Sequence, residues 1–276
     1  MTLRARTLLA LLTVVLAALV SSTGGTAIAA PAPEYPTWGI PPFGANDWTC
    51  RPTVERPYPA VIVHGTFGDS RSLLDNLSLA LVHDGYCVYS LDYGNRATGP
   101  IEESAQQLDV FVDEVLAATG AARAEMVGHS QGGMMPRYWI KNLGGEGLVE
   151  DLVGLVPSNH GTTVQNGSSS GSWCVSCDQQ AAGSAFLTAL NTPDETPGTV
   201  DYTQVTTRYD EVVVPYSSAF LTPDAQSTNI TLQDRCPVDA ADHLTIPMDP
   251  QAIAWVLHAF DREGPADAAA PIGCTG

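Results

Sequence analysis

The chain contains the stretch AEMVGHSQGGMMPRYWIKN, residues 124–142, and this stretch decides its fold. It predicts a buried strand over residues 124–127, a tight turn at Gly128-His129-Ser130-Gln131-Gly132 and a helix over residues 134–142. A sharp strand-to-helix turn leaves no room for a Cβ on either side of its central residue, so glycines flank the serine. The Ser130 hydroxyl is therefore expected to stand clear at the end of a sheet.

The segments around this turn alternate between strand and helix. Apolar runs predict further strands over residues 60–63, 86–92, 152–156, 200–207 and 229–232. Helical periodicity predicts helices over residues 72–83, 101–119, 183–190 and 251–260. This alternation is typical of the α/β class, with a mostly parallel central sheet and helices on both faces.

A serine placed in this way acts as a nucleophile only when a base accepts its proton. The hydroxyl is otherwise too weak, and the base, a histidine, is in turn oriented by a carboxylate. In the α/β-hydrolase fold these partners follow later strands, in the chain order Ser, Asp, His. Asp210 and His243 stand after the strands predicted over residues 200–207 and 229–232. We therefore predict that Ser130 is the nucleophile, His243 the base and Asp210 the acid.

Three other acids compete with Asp210 for the orienting role. Glu211 is its neighbour in sequence and remains an alternative. Asp201 would lie at the start of its strand, at the wrong end of the sheet. Asp242 is too close in sequence to His243 to be an orienting partner.

Five other histidines are candidates for the base, and His160, in an irregular insertion, is the rival. His83 and His258 lie in helical patterns, which indicates surface or packing roles. His129 adjoins the serine and is expected to point away from it. His64 is expected to support the neighbouring loop rather than to act as a base.

Ester hydrolysis passes through an intermediate with an oxyanion, which needs hydrogen-bond donors. We predict that one donor is the N–H of Gln131, the residue after the nucleophile, and that another is Thr66, in the loop after residues 60–63. Thr66 offers both its N–H and its hydroxyl. The alternative interpretation of His64-Gly65-Thr66 is a simple strand-ending turn.

Residues 1–29 have the pattern of a secretory signal peptide. Two arginines precede an apolar run over residues 8–20, and Ala27-Ile28-Ala29 provides small residues for cleavage after Ala29 or Ala30. The run is shorter than the ~20 residues that span a bilayer, and no comparable run follows, which predicts no integral membrane segment. We expect a secreted protein in which residues 30–276 form one domain.

The sequence has 30 acidic and 12 basic side chains, and its formal net charge is -18. Such a surface repels nucleic acid and keeps an exported protein dispersed. We therefore predict no nucleic-acid partner, and we expect a monomer.

The 6 cysteines of an exported chain predict three disulfides, and spacing alone leaves all fifteen pairings open. Cys174 and Cys177 form a lone C-x-x-C beside a Gly/Ser-rich stretch. A zinc site would need a second ligand pair, and a redox site would need a thioredoxin-like context. Neither is visible, which favours a small loop staple with no metal and no cofactor.

Four segments taken together are similar to one known family: His64-Gly65-Thr66, residues 128–132, Tyr209-Asp210-Glu211-Val212-Val213-Val214-Pro215 and Asp242-His243. They resemble the bacterial class 2 triacylglycerol lipases of the α/β-hydrolase fold, and residues 179–185 resemble the related lipase B enzymes of yeasts. The resemblance covers about residues 48–274. It implies a triacylglycerol lipase or carboxylesterase that forms an acyl-enzyme on lipid or ester substrates, including those at an oil–water interface, and needs no metal.

The resemblance also implies how the cysteines pair: Cys50–Cys87, Cys236–Cys274 and, as the remainder, Cys174–Cys177. The insertion over residues 162–182 borders the region where such lipases place an acyl pocket or a lid. No strongly amphipathic helix is visible there, so we expect a small or absent lid.

Other interpretations of the same residues remain open. An acyltransferase would use the same triad to move the acyl group to an alcohol or a sugar, and a polyester-degrading hydrolase would cleave a different ester. A noncatalytic protein with a hydrolase fold is disfavoured, because the nucleophile, base, acid and oxyanion loop are all present.

Overall fold

A computed structural model describes residues 38–164 and 173–274, and the centre of this described chain is a six-stranded β-sheet. The strands are β1 (Ala60–Val63), β2 (Val88–Leu91), β3 (Ala124–His129), β4 (Val149–Leu155), β5 (Asp201–Thr206) and β6 (Ser227–Thr231). Their order across the sheet is β2-β1-β3-β4-β5-β6, and every neighbouring pair is parallel. The predicted α/β class is confirmed.

Helices connect the strands. They are α1 (Asp75–His83), α2 (Gly94–Ala97), α3 (Ile101–Thr119), α4 (Gln131–Asn142), α5 (Val175–Gln179), α6 (Ala185–Leu190), α7 (Leu232–Arg235) and α8 (Pro250–Phe260), with single 3₁₀ turns at Tyr216–Ala219 and Ile246–Met248. Helices α3 and α4 pack against each other, and α8 packs against α1. The two pairs belong to two separate hydrophobic clusters, one on each face of the sheet.

Alternate side chains of each central strand join these two clusters. In β1, Val61 and Val63 pack in the cluster of α3 and α4, whereas Ala60 and Ile62 pack in the cluster of α1 and α8. A strand that is buried on both faces has no polar face. This burial is the reason why residues 60–63 appear in the sequence as an uninterrupted apolar run.

The strand order creates a switch point between β1 and β3. The chain leaves β1 toward one edge of the sheet and leaves β3 toward the other, and ligands of open α/β sheets bind at such a point. The register pairs Val63 with Gly128, so the loops after the two strands begin at the same level. Thr66 and Ser130 stand in these two loops.

Most predicted elements are present with shifted ends. Helix α3 has the predicted bounds, but the helix predicted from residue 72 begins at Asp75, because Leu73 has a φ of 64° that an α-helix cannot include. Strand β4 begins at Val149 instead of residue 152, because two carboxylate side chains in its first half hide the strand pattern. The short helices α2, α5 and α7 have no predicted counterpart in the sequence.

Disulfides join the cysteines of the described chain as Cys50–Cys87, Cys174–Cys177 and Cys236–Cys274, the pairs that the resemblance implies. The third bridge ties the segment after α7 to the C-terminal residues. Among the described helices, none is long and apolar enough to cross a bilayer. The predicted signal peptide, residues 1–29, lies outside the described residues.

Candidate active site

Ser130 occupies a sharp turn between β3 and α4, with a φ of 56° and a ψ of -124°. Residues with a Cβ rarely adopt a positive φ, and such strained positions cluster at functional sites. A Cβ at Gly128 would lie 1.9 Å from the carbonyl oxygen of Gly132, and one at Gly132 would lie 2.3 Å from the carbonyl oxygen of His64. The packing around the turn therefore requires both glycines, as the sequence predicts.

The three residues predicted as nucleophile, base and acid meet in one buried chain of hydrogen bonds. His243 Nε2 lies 3.1 Å from Ser130 Oγ, and His243 Nδ1 lies 2.9 Å from Asp210 Oδ1. The exposed fractions of Ser130, Asp210 and His243 are 6%, 8% and 3%. Little water reaches these contacts, so their electrostatic interactions are weakly screened.

The loops after β5 and β6 align the acid with the base. An isolated parallel bridge pairs Tyr209 with Asp242, so that the next residues, Asp210 and His243, become neighbours. Two backbone N–H groups of the following turn donate to Asp210 Oδ1 at 2.9 and 2.8 Å. They hold this oxygen in place beside the imidazole.

Thr66 and Gln131, the predicted oxyanion donors, lie in the loop after β1 and at the start of α4. No acceptor in the described chain pairs with the backbone N–H of either residue, as expected for Gln131 because the first N–H groups of a helix have no intrahelical partner. The Thr66 hydroxyl donates to Gln131 Oε1 at 2.7 Å. This hydroxyl is thus engaged, unlike the free donor that the sequence suggests.

Two further histidines are buried beside the site. His64 Nδ1 donates to the Gly65 carbonyl at 2.8 Å, its ring stacks on Tyr93 at 4.3 Å, and burial lowers the pKa of His64. His129 Nε2 donates to the His243 carbonyl at 2.7 Å, and burial together with the nearby His243 lowers the pKa of His129 to about 3. His64 supports the loop after β1, and neutral His129 braces the loop of His243, a contact that sequence reasoning missed.

The strongest rivals have other partners. His160 Nε2 lies 3.0 Å from Glu195 Oε1 and makes no hydrogen bond to Ser130. Glu211 Oε2 accepts a long hydrogen bond of 3.4 Å from the backbone N–H of His243 and does not reach its ring. Neither His160 nor Glu211 therefore takes part in the hydrogen-bond chain of Ser130, His243 and Asp210.

The remaining candidates also lie away from the imidazole. Asp201 is the first residue of β5, at the amino end of the sheet. Asp242 Oδ1 accepts from the N–H and the hydroxyl of Thr245 within its own turn. His83 ends α1, and His258 lies in α8.

A cavity of about 920 Å³ opens onto Ser130 and His243, a size within the usual range for small-molecule sites. Apolar side chains contribute much of its lining: Phe67, Leu73, Val164, Trp173, Val212, Val213 and Leu244. Gln180 also lines the cavity. In the sequence, the only signal for Gln180 is its place in the segment similar to lipase B, residues 179–185. In the described part of the chain, no group of His, Cys, Asp and Glu side chains could hold a metal ion.

The parallel sheet with its switch point and the strained serine turn beside a histidine and an aspartate define the α/β hydrolases. The sequence also matches the family model described as Lipase (class 2) over residues 57–255. The chain belongs to this class 2 lipase family.

Curated relatives are triacylglycerol lipases that match part of the chain. One from Vibrio cholerae is 35% identical over an alignment of 119 residues, and the match covers 37% of this chain and 38% of the relative. One from Pseudarthrobacter phenanthrenivorans is 36% identical over an alignment of 88 residues, and the match covers 29% of this chain and 27% of the relative. The chain thus spans well under half the length of the curated relatives it matches.

Solved structures of lipases share the fold. Aspergillus fumigatus lipase B superimposes with a TM-score of 0.68 at 20% identity, over 77% of this chain and 54% of that chain. A Bacillus licheniformis lipase in its mature form superimposes with a TM-score of 0.58 at 16% identity, over 76% of this chain and 94% of that chain.

Proposed function

We propose that this protein is a secreted serine ester hydrolase that uses Ser130, His243 and Asp210 as a catalytic triad. The hydrogen-bond chain from Ser130 Oγ through both ring nitrogens of His243 to Asp210 Oδ1 carries this proposal. An ionised carboxylate only accepts hydrogen bonds, so Nδ1 holds the imidazole proton. His243 Nε2 is then free to accept the proton of the serine hydroxyl.

The proposed reaction uses this geometry in two stages. As Ser130 Oγ bonds to the ester carbonyl carbon, His243 Nε2 takes the hydroxyl proton, and the carbonyl oxygen becomes an oxyanion beside the N–H groups of Thr66 and Gln131. The ester C–O bond then breaks, and Nε2 gives its proton to the leaving alcohol, which leaves an acyl-enzyme. Water, deprotonated by the same nitrogen, attacks the acyl carbon. The bond from this carbon to Ser130 Oγ then breaks, Nε2 returns its proton to Oγ, and the carboxylic acid leaves.

Triacylglycerols are the proposed substrates. The family match and the names of the curated relatives support a triacylglycerol lipase. The cavity has apolar walls, and large apolar side chains are exposed around it, with exposed fractions of 79% for Trp173, 42% for Phe67 and 52% for Leu244. Such a rim favours contact with a lipid phase, because exposed apolar surface of this kind marks interaction sites.

The proposal also covers where the protein acts, its oligomeric state and its partners. Residues 1–29 direct export, and residues 30–276 act as a monomer without a cofactor or a nucleic-acid partner. The disulfides of the described chain suit an oxidising, extracellular environment. The net charge of -18 supports a protein that stays dispersed and does not bind nucleic acid.

The test combines active-site labelling with a substrate series. A fluorophosphonate should form an adduct on Ser130 that peptide mass spectrometry locates. Ser130→Ala should fold, lose the adduct and lose about 10⁶ in kcat. Rates on water-soluble esters of increasing chain length and on a triacylglycerol emulsion define the substrate, and product analysis with an added alcohol separates hydrolysis from acyl transfer.

Two outcomes would contradict the proposal. One is a Ser130→Ala variant that keeps more than a few per cent of activity. The other is an adduct on a residue other than Ser130.

A further inference from the structure

The amide of Gln180 lies between the two side chains of the proposed oxyanion hole. Its Nε2 donates to Thr66 Oγ1 at 3.0 Å and to Gln131 Oε1 at 3.1 Å. Its Oε1 accepts from the Ser158 hydroxyl at 2.8 Å. Gln180 is 7% exposed, so water does not readily replace these hydrogen bonds.

The neighbours of this amide determine which way it points. The carbonyl of Ser176, which can only accept, lies 3.1 Å from Gln180 Nε2. The nitrogen must therefore be on the side that faces Thr66 and Gln131. Because Gln180 Nε2 is a donor, the Gln131 side chain faces it with its oxygen. The same oxygen also accepts a hydrogen bond from the Thr66 hydroxyl.

The backbone around Gln180 is anchored on both sides. Gln180 is the residue after helix α5, whose first residue follows Cys174, and the disulfide to Cys177 closes this turn. The Ser176 hydroxyl donates to the Ala97 carbonyl at 2.6 Å. The backbone of Gln180 in turn accepts from the Thr162 N–H at 3.0 Å. These contacts fix the position of the Gln180 amide.

We propose that Gln180 is a positioning residue that holds the oxyanion hole together; this inference rests on the proposed function. The two N–H donors belong to separate elements, the loop after β1 and the start of α4. They must converge on one oxygen that exists only during the reaction. By hydrogen bonding to both side chains, Gln180 sets the spacing between Thr66 and Gln131, and the direct Thr66–Gln131 hydrogen bond alone leaves that spacing less constrained.

The first test is a pair of substitutions in neighbouring glutamines. Gln180→Leu keeps the size of the side chain and removes the donor. Gln179→Leu is the matched control, because Gln179 contacts Ile101 and Glu102 of α3 and not the oxyanion loop. On a short, water-soluble ester we expect Gln180→Leu to lower kcat about 10- to 100-fold with KM changed less than about threefold, since loss of precise orientation acts on the transition state. Gln179→Leu should keep the wild-type kcat.

A second variant adds a readout that a merely structural role would not move. Gln180→Glu places an ionised oxygen where the donating nitrogen stood, and it should be at least as slow as Gln180→Leu at pH 8. Protonation at lower pH gives the carboxyl a donor again. The ratio of kcat between the Glu and Leu variants should therefore rise as pH falls from 8 to 5, with active sites counted by phosphonate titration in both.

The outcomes separate this inference from the proposed function. If Ser130→Ala is inactive but Gln180→Leu has a kcat within about threefold of wild type, Gln180 does not position the oxyanion hole. A rise in KM alone, or a Glu to Leu ratio that is constant with pH, would also overturn the inference. If Ser130→Ala stays active, the proposed function fails first.

Discussion

The two ends of the central sheet each bury carboxyl groups, but with different numbers of hydrogen-bond donors around them. At the carboxyl end, Asp210 Oδ1 accepts from two backbone N–H groups and from His243 Nδ1. At the amino end, Glu125 and Asp151 lie on the neighbouring strands β3 and β4, where Glu125 Oε2 accepts from the Asp151 N–H at 3.2 Å. Within the described chain, Asp151 Oδ1 and Asp210 Oδ2 are both buried without a partner.

The difference shows that donors, and not the residue type, decide what a buried carboxyl group can do. Burial, partly offset by the Asp151 N–H, raises the pKa of Glu125. Burial and then the charge of Glu125 raise the pKa of Asp151. Further acids at Glu150 and Asp201 add to this effect, and the cations Arg56 and Arg262 only partly oppose it. Burial therefore favours the protonated forms at the amino end, whereas Asp210 accepts hydrogen bonds from two backbone N–H groups and from the His243 imidazole.

An Asp-to-Asn substitution at each end of the sheet is the strongest test of this comparison. Asp210→Asn should fold and lose about 10⁴ in kcat, because the amide would hold His243 in the wrong tautomer. Asp151→Asn is the matched control and should keep kcat within about twofold, since it is remote from the site. The measurement is kcat per phosphonate-titrated active site. Equal losses in the two variants would refute the division of roles.

Removal of the Cys236–Cys274 bridge tests how the loop of His243 is held at the carboxyl end of the sheet. Replacing both Cys236 and Cys274 by Ser should lower the free energy of unfolding by about 2–4 kcal/mol, because the bridge closes a chain separation of 38 residues. Activity should fall together with stability, since Cys236 precedes the loop of His243. The same change at Cys174 and Cys177, separated by 3, should destabilise the fold less. Chemical denaturation of all three proteins measures this, and a reversed order of the two double variants would contradict it.

The amino-end pair predicts the pH dependence of stability. The ordinary pKa values are 4.5 for Glu125 and 3.8 for Asp151, and both are raised in the folded protein. Above about pH 4 the unfolded chain releases protons that the folded chain keeps, so the stability due to this pair is lost as pH rises through the raised native pKa values. Asp151→Asn removes one of these protons. Its free energy of unfolding at pH 8 should therefore exceed that of wild type by on the order of 1–3 kcal/mol.

Thermal unfolding between pH 4 and pH 8 checks the sign of this effect. The gain of Asp151→Asn over wild type should increase with pH. A gain that is constant or decreases with pH would show that the pair is not protonated in the folded protein.

The smallest expected effect concerns the neighbour of the acid. Glu211→Gln should change kcat less than about threefold, because its carboxylate makes only a long contact to the His243 N–H, at 3.4 Å. Steady-state kinetics beside Asp210→Asn measure it. If Glu211→Gln is the slower of the two variants, Glu211 is the acid.

Local patterns in the sequence predicted much of the fold. Helix α3 has the predicted bounds because its apolar residues repeat at the helical period and Gly120 stops it with a φ of 72°. The start of β4 was missed because Glu150 and Asp151 interrupt its apolar pattern. Their burial depends on neighbouring strands, which a local window does not contain.

By itself the sequence determined the serine turn and the order in which Ser130, Asp210 and His243 follow their strands, because each is a local pattern of glycines, apolar runs and strand ends. Only the tertiary structure decided that His129 braces His243 and that Gln180 reaches Thr66. Both pairs of residues are 114 positions apart in the chain. Such contacts leave no periodicity in the sequence, since they exist only once the parallel sheet has brought the ends of its strands to one edge.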